Sequence, residues 1–216
     1  HPATTDLLKE CGADQIVLAT GVHPRPISLP GIDHPNVLSY VDVLRHNKPI
    51  GEKVALIGAG GIAFDVVEFL NHDRRDSQQL PELAEYFQTW GIDYEFTQRS
   101  GLTKANPPQA KHQITMMQRS KGKLGARLGK TTGWIHRSKA KTFGVTMLSE
   151  VSYDKIDDNG HLHITVHDRP QILEVDTIIL CAGQVPNRDV LYGLEDLPVT
   201  LIGGADVASE LDAKRA

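Results

Sequence analysis

Continuous apolar runs that end in glycine dominate the hydrophobic pattern of this chain. Residues 15–21 (QIVLATG), 53–60 (KVALIGAG) and 177–183 (TIILCAG) each read as a buried parallel strand, because a strand covered on both faces needs no polar alternation. A fourth run, 113–119 (QITMMQR), is apolar but ends in a cation. A fifth, 199–206 (VTLIGGAD), ends in glycines and an aspartate. After the second run, Ile62, Val66, Val67 and Leu70 recur at the three-to-four-residue spacing of one buried helix face. Strands alternating with helices predict an α/β fold with a parallel sheet.

The texture changes between Gly144 and Asp176. There the apolar positions alternate with period two, interrupted by DDNG, a hairpin turn signal. Leu162, Ile164 and Val166 fall on one face; His161, His163, Thr165 and His167 fall on the other. The reading is a Rossmann-like parallel sheet with a β-meander excursion. The Pro-rich stretch 21–35 reads as an ordered crossover rather than a linker, since it lacks Gly/Ser texture. Residues 71–112 are polar and Gln-rich, with one short amphipathic segment (Leu83, Tyr86, Phe87, Trp90). A loop of that length is uncommon, so it is either an insertion or a misassigned strand.

Composition narrows the classes. Over 216 residues the net charge is −4, with 40% hydrophobic and 23% charged residues. That argues against disorder and against nucleic-acid or membrane-surface binding through a globally basic face. No apolar run approaches the roughly 20 residues of a spanning helix. Two separated cysteines, Cys11 and Cys181, make neither a disulfide scaffold nor a C-x-x-C metal site, and fit a reducing cytoplasm. The chain starts at His1 and stops inside a charged pattern that resembles an unfinished helix, so we expect a piece of a longer protein.

One motif carries chemistry. Gly58-x-Gly60-x-x-Ala63 lies between an apolar strand and a periodic helix, the context that gives a dinucleotide fingerprint its meaning. Gly58 permits the tight turn, Gly60 lets the backbone approach a pyrophosphate, and Ala63 lets helix and strand pack closely. The amides of Ala59, Gly60, Gly61 and Ile62, at the positive end of the helix dipole, would hold the phosphates. The acidic residue that usually follows about 20 residues on, to bind the ribose, is missing. If 71–112 is an insertion, the second strand is QITMMQR and its tip presents Arg119 and Lys121. A guanidinium forks onto a 2′-phosphate that a carboxylate would repel, so the tip predicts NADPH over NADH.

Other patterns carry less. GARLGKT fails the P-loop spacing, and GKTTGW reads as a helix start capped by Thr131 or Thr132. The histidine row lacks a placed cysteine or carboxylate and reads as a solvent-facing row rather than a metal site. Cys181, on a buried strand, reads as a small hydrophobe. No catalytic residue and no metal ligand is assigned.

IVLATGVHPR, LIGAGGIAFD, CAGQVPNR and LIGGADVA together resemble the two-dinucleotide flavoprotein reductases, in which an NADP domain is inserted into an FAD domain. HPNVLSYVDVLR, LGKTTGWIHR, VSYDKIDD and ADVASELDAKRA resemble the C-terminal portion of bacterial NADPH-dependent 2,4-dienoyl-CoA reductases. The resemblance implies an oxidoreductase: NADPH passes hydride to FAD, and electrons cross a [4Fe–4S] cluster to FMN, which reduces the dienoyl thioester. The FMN barrel, the cluster and the rest of the FAD domain would be partners in an upstream part of the protein. It implies a division into an FAD-domain segment and crossover (1–49), an NADP domain (50–180) and a returning, truncated FAD segment (181–216). By position Thr20, Gly21 and Asp206 would face FAD, with Gly183 and Gln184 near the flavin–nicotinamide junction. GGAD stands where a plain G-D is usual, which weakens the assignment of Asp206. This chain alone would be inactive towards dienoyl-CoA. Alternatives are another reductase of this architecture (glutamate synthase small subunit-like or trimethylamine dehydrogenase-like), a non-catalytic adenine-nucleotide module, or a structural domain.

Overall fold

A computed structural model describes residues 3–71 and 82–209. The chain divides into two compact units, one made of 1–27 with 182–216 and the other of 28–181. In chain order the elements begin with α1 (Thr5–Glu10), β1 (Ile16–Leu18), β2 (Val22–Pro24), β3 (Val37–Ser39), α2 (Tyr40–Leu44), β4 (Lys53–Ile57) and α3 (Gly61–Asn71). There follow α4 (Leu83–Trp90), β5 (Gln113–Met117), α5 (Gly133–Thr142) and β6 (Thr146–Leu148). The last strands are β7 (Val151–Ile156), β8 (Leu162–Val166), β9 (Arg169–Leu173), β10 (Thr177–Leu180), β11 (Gln184–Pro186) and β12 (Val199–Leu201).

The larger unit is built on a five-stranded parallel sheet in the order β3-β10-β4-β5-β6. Its central strand β4 is buried from Val54 to Ile57, as a strand without polar alternation must be. Val54 and Leu56 join α2, α3 and α5 in one core with Val43, Phe64, Val67, Leu70, Met116 and Ala140. Ala55, Ile57, Met117 and Ile178 point to the other face and are equally buried. The antiparallel meander β7-β8-β9 supplies a second apolar face through Leu162, Ile164 and Val166. This is the expected mixed α/β, Rossmann-like architecture with its β-excursion. Its turn forms at Asp157–Gly160, where Gly160 has φ 80° and the Asp157 carboxylate accepts the N–H groups of Asn159 and His161.

Local chemistry sets the ends of the helices. Ser39 and Asp42 form a reciprocal capping box at the start of α2. At the end of α3 the buried Asn71 donates to the Val67 carbonyl and accepts from the Lys111 N–H, which closes the helix and fixes the return to β5.

Three expectations need correction. The crossover 28–49 belongs with the larger unit, not with the first segment, because β3 pairs with β10 and α2 packs into the same core. Thr132 does occupy the N-cap of α5, but its αR backbone leaves the hydroxyl unable to cap, and no side-chain cap bond forms. The histidine row is not purely solvent-facing. The turn brings Asp157 to it, and the Asp157 carboxylate lies 2.8 Å from His163 Nε2 and 3.9 Å from His161 Nδ1. Among the described residues no group of three or more potential ligands could hold a metal ion.

The described part of 71–112 contributes no strand to the main sheet, so β5 does follow β4 as its neighbour. It holds α4, a 3-10 turn at Arg99–Gly101 and one bridge between Ile92 and Leu102. None of the α4 residues is buried, although Phe87 stacks on Tyr94 at 5.0 Å. Residues 72–81, and the charged end from 210 onward that resembles an unfinished helix, lie outside the described residues.

The smaller unit contains two two-stranded pieces, β1 with β12 in parallel and β2 with β11 antiparallel. Among the described residues no helix is long and apolar enough to cross a membrane.

Candidate functional site

The candidate site of the larger unit lies at the carboxyl edge of its sheet, where α/β folds bind ligands. β4 runs through Ile57 into Gly58, which has φ 118°, a conformation that L side chains rarely adopt. Helix α3 begins three residues later at Gly61. A Cβ placed on Gly60 would meet no atom within 4 Å, so this face of the turn is open to a ligand. Ala63 has no exposed surface, as close helix–strand packing demands. The Gly60 carbonyl accepts from the Ala63 and Phe64 N–H groups. The N–H groups of Gly60, Gly61 and Ile62 meet no backbone acceptor among the described residues, as the first turn of a helix leaves them.

The cationic tip lies beside this turn. Ile57 pairs with Met117 in register, so Gly58 and Gln118 leave the sheet together, with Arg119 one residue further on. Arg119 and Lys121 are exposed, and neither forms an ion pair among the described residues. Their turn is held from several sides. Gln118 donates its side-chain amide to the Ser120 and Gly122 carbonyls at 3.1 and 3.0 Å. The Val151 N–H donates to the Gln118 carbonyl at 3.1 Å and the Glu150 N–H to the Ser120 carbonyl at 3.3 Å. Glu150 takes φ 58° in doing so. This geometry brings the Gly58–Ile62 turn and the cationic tip to one edge of the sheet.

A buttress fixes the loop that follows. Leu124 is buried in the helix-side core, and a Cβ on Gly125 would come within 2.7 Å of the Phe64 ring. Leu128 lies 3.9 Å from a Cβ built on Gly61, at the first turn of α3. Arg137 of α5 donates to the Gly125 carbonyl at 2.9 Å. GARLGKT is thus a packed connection with no strand leading into it, as its failed P-loop spacing predicts. Lys139 and Glu68 further tie α5 to α3 at 2.5 Å.

Two residues at this edge escaped the sequence reading. Glu150 arrives through β6, and no linear spacing from the glycines points to it. Tyr153 follows Val151 in the period-two phase of β7, a usable signal for an inward side chain. Its hydroxyl lies against the Gly58 backbone and within electrostatic reach of Arg119.

In the smaller unit, Thr20 donates its hydroxyl to the Asn187 carbonyl. Gly21 has φ 76°, and a Cβ there would meet nothing within 4 Å. The Arg25 N–H donates to the Gly183 carbonyl at 3.1 Å, and its guanidinium donates to the Gln184 carbonyl at 3.3 Å. Arg188 pins the late glycine turn through the Ala205 and Asp206 carbonyls. Asp206 is exposed beyond that turn. Thr20, Gly21, Gly183, Gln184 and Asp206 therefore all belong to one unit, while Gly58, Ala59, Gly60, Gly61, Ile62, Arg119 and Lys121 belong to the other.

Cys181, as expected, is a buried hydrophobe. Burial pushes its thiol up to about 12, so no thiolate is available at neutral pH.

Comparison with known proteins agrees with this architecture. The chain is 38% identical over 74 residues to a cinnamate reductase of Clostridium sporogenes, covering 34% of this chain and 11% of that protein. It is 23% identical over 178 residues to a mercuric reductase of Staphylococcus aureus, covering 81% of this chain and 25% of that protein. The fold resembles a 2-naphthoyl-CoA reductase in complex with 2-naphthoyl-CoA (TM-score 0.70, 20% identity, 96% of this chain and 26% of that one). It equally resembles a histamine dehydrogenase from Rhizobium sp. 4-9 (TM-score 0.69, 11% identity, 97% of this chain and 30% of that one). The chain thus spans about a quarter or less of the length of these curated relatives. The pyridine nucleotide-disulphide oxidoreductase model, a family that implies FAD and NAD(P)H binding, matches residues 3–214, and the chain belongs to that family.

Proposed function

We propose that this chain is the NADPH-binding part of a flavin-dependent oxidoreductase. The observation that carries the reading is the open Gly58–Ile62 turn beside the exposed Arg119 and Lys121 on one sheet edge. The amides of Gly60, Gly61 and Ile62 bind the pyrophosphate, and Arg119 with Lys121 binds the 2′-phosphate as a charge-assisted pair. Binding energy at the adenosine end then orients the nicotinamide for transfer. Thr20, Gly21, Gly183, Gln184 and Asp206 are the residues assigned to FAD, which supplies the hydride acceptor when bound.

In the longer protein, the reading is reduction of 2,4-dienoyl-CoA in unsaturated fatty-acid degradation in the cytoplasm, with a [4Fe–4S] cluster and FMN held by the missing barrel region. The family-specific GKTTGWIHR string and the 38% identity to a cinnamate reductase support an enoyl-type reductase over the alternatives.

The test of the nucleotide assignment is calorimetric titration of the chain with NADPH and NADH. Binding of NADPH at least tenfold tighter is expected, and equal or tighter NADH binding overturns it. A second reading, NADH use, rests on Glu150, whose backbone is bonded to Ser120 at the same tip and whose carboxylate suits a free ribose hydroxyl. The same titration separates the two.

A further inference from the structure

The hydroxyl of Tyr153 is an anomaly at this edge. It is buried from solvent, yet no donor or acceptor meets it at hydrogen-bonding distance and angle. Buried polar atoms are seldom left so, because an unpaired hydroxyl loses water and gains nothing in return. Its position is set by the regular first half of β7: Tyr153 pairs with Ile164 in the same register as Val151 with Val166, and the register shifts only after it, between Tyr153 and Lys155. The start of β7 is bonded through Val151 to Gln118, so this strand is tied to the cationic tip.

Two groups act on Oη. The Gly58 N–H lies on one side, and the Arg119 guanidinium is within electrostatic reach. The Gly58 N–H is already committed to the Met117 carbonyl, the Arg119 charge favours the oxygen lone pairs, and the hydroxyl proton has no acceptor. Burial raises the phenol above its ordinary range, so that proton stays in place and Tyr153 is a donor at any physiological pH.

We propose that Tyr153 is a specificity-determining residue whose hydroxyl donates to the 2′-phosphate that Arg119 binds. The phosphate oxygen supplies the missing acceptor, and an unphosphorylated ribose leaves the hydroxyl unpaired as in the free protein. This inference rests on the NADPH reading above and goes beyond it in making the meander, not only the β5 tip, part of the nucleotide site.

Tyr153→Phe tests it in the intact chain, because it deletes the hydroxyl and keeps the ring. Removing an unsatisfied buried hydroxyl leaves thermal stability unchanged or raised. Affinity for NADPH and for 2′,5′-ADP should fall about tenfold or more, as expected for loss of a hydrogen bond to a charged acceptor. Affinity for NADH and for 5′-ADP should stay within about twofold. In the unmodified chain the 2′-phosphorus resonance of bound NADP+ should differ from that in Tyr153→Phe. Unchanged NADPH affinity overturns the proposal and leaves the nucleotide reading standing. Equal losses for NADH and NADPH also overturn it, since they mean the ring merely supports the Gly58 turn. If the unmodified chain binds none of the four probes, the nucleotide reading fails first and this inference fails with it.

Discussion

The Gly58 N–H donates to the Met117 carbonyl at 2.9 Å, which locks the first glycine of the fingerprint turn to the last residue of β5. A parallel ladder propagated one residue past the strands therefore sets the distance between the Gly58–Ile62 turn and the Arg119 tip. The tip is held by hydrogen bonds from Gln118, Glu150 and Val151 before any ligand arrives. Such preorganisation reduces the ordering cost of binding.

Gly60→Leu should separate folding from binding. The space beyond Gly60 is open, so the substitution should shift the melting temperature by no more than a few degrees, with a roughly 1 kcal/mol change at most. The new side chain fills the pyrophosphate cradle, and nucleotide affinity should fall more than about tenfold. Thermal denaturation and calorimetry on the same sample check both halves.

Arg119→Glu should act on one nucleotide and not the other. It replaces attraction to a 2′-phosphate with repulsion, so NADPH affinity should fall by about 100-fold while NADH changes little. The NADPH preference of the unmodified chain should also shrink as salt rises, because the tip is exposed and screened. Competition binding at two salt concentrations measures this.

Gly125→Val should destabilise the fold. Gly125 has φ 68°, and a Cβ there comes within 2.7 Å of the Phe64 ring and of Leu128. Backbone strain and overpacking together should cost about 1–4 kcal/mol. A chemical-denaturation midpoint that does not move would contradict the packing of this loop on α3.

Acid should weaken the larger unit through Asp42. Hydrogen bonds from Lys48 and Ser39 hold its carboxyl down to about 2 from an ordinary 3.8. The unfolded chain therefore binds the proton first as pH falls. The Asp42 contribution is complete above about pH 4 and is lost on descending through about pH 2. The melting-temperature gap between the unmodified chain and Asp42→Asn should accordingly narrow across that interval.

Alkylation should distinguish the two thiols. Cys11 is exposed, whereas Cys181 is buried with its thiol pushed up to about 12. Under native conditions iodoacetamide should label Cys11 alone, and denaturant should expose Cys181, as peptide mass spectrometry can show.

The sequence by itself determined the elements whose cause is local. Buried parallel strands need continuous apolar runs, so β4, β5 and β10 were legible as such, whereas β1 and β12 formed where their runs predict strands but are not covered on both faces, with Val17 exposed. The glycine spacing of Gly58 and Gly60 was legible because only a residue without a side chain meets both the torsion and the approach. The DDNG turn was legible for the same kind of reason. The capping role of Thr132 was not, since a cap depends on the backbone angles that the preceding loop imposes. The membership of 28–49 in the larger unit was also hidden, because β3 pairs with β10 across some 140 residues of chain. Tertiary structure alone decided what surrounds the cationic tip. The period-two phase of Tyr153 with Val151 marks its side chain as inward, but only the bonds from Val151 to Gln118 and from Glu150 to Ser120, made across about 30 residues of chain, bring it and Glu150 to the tip.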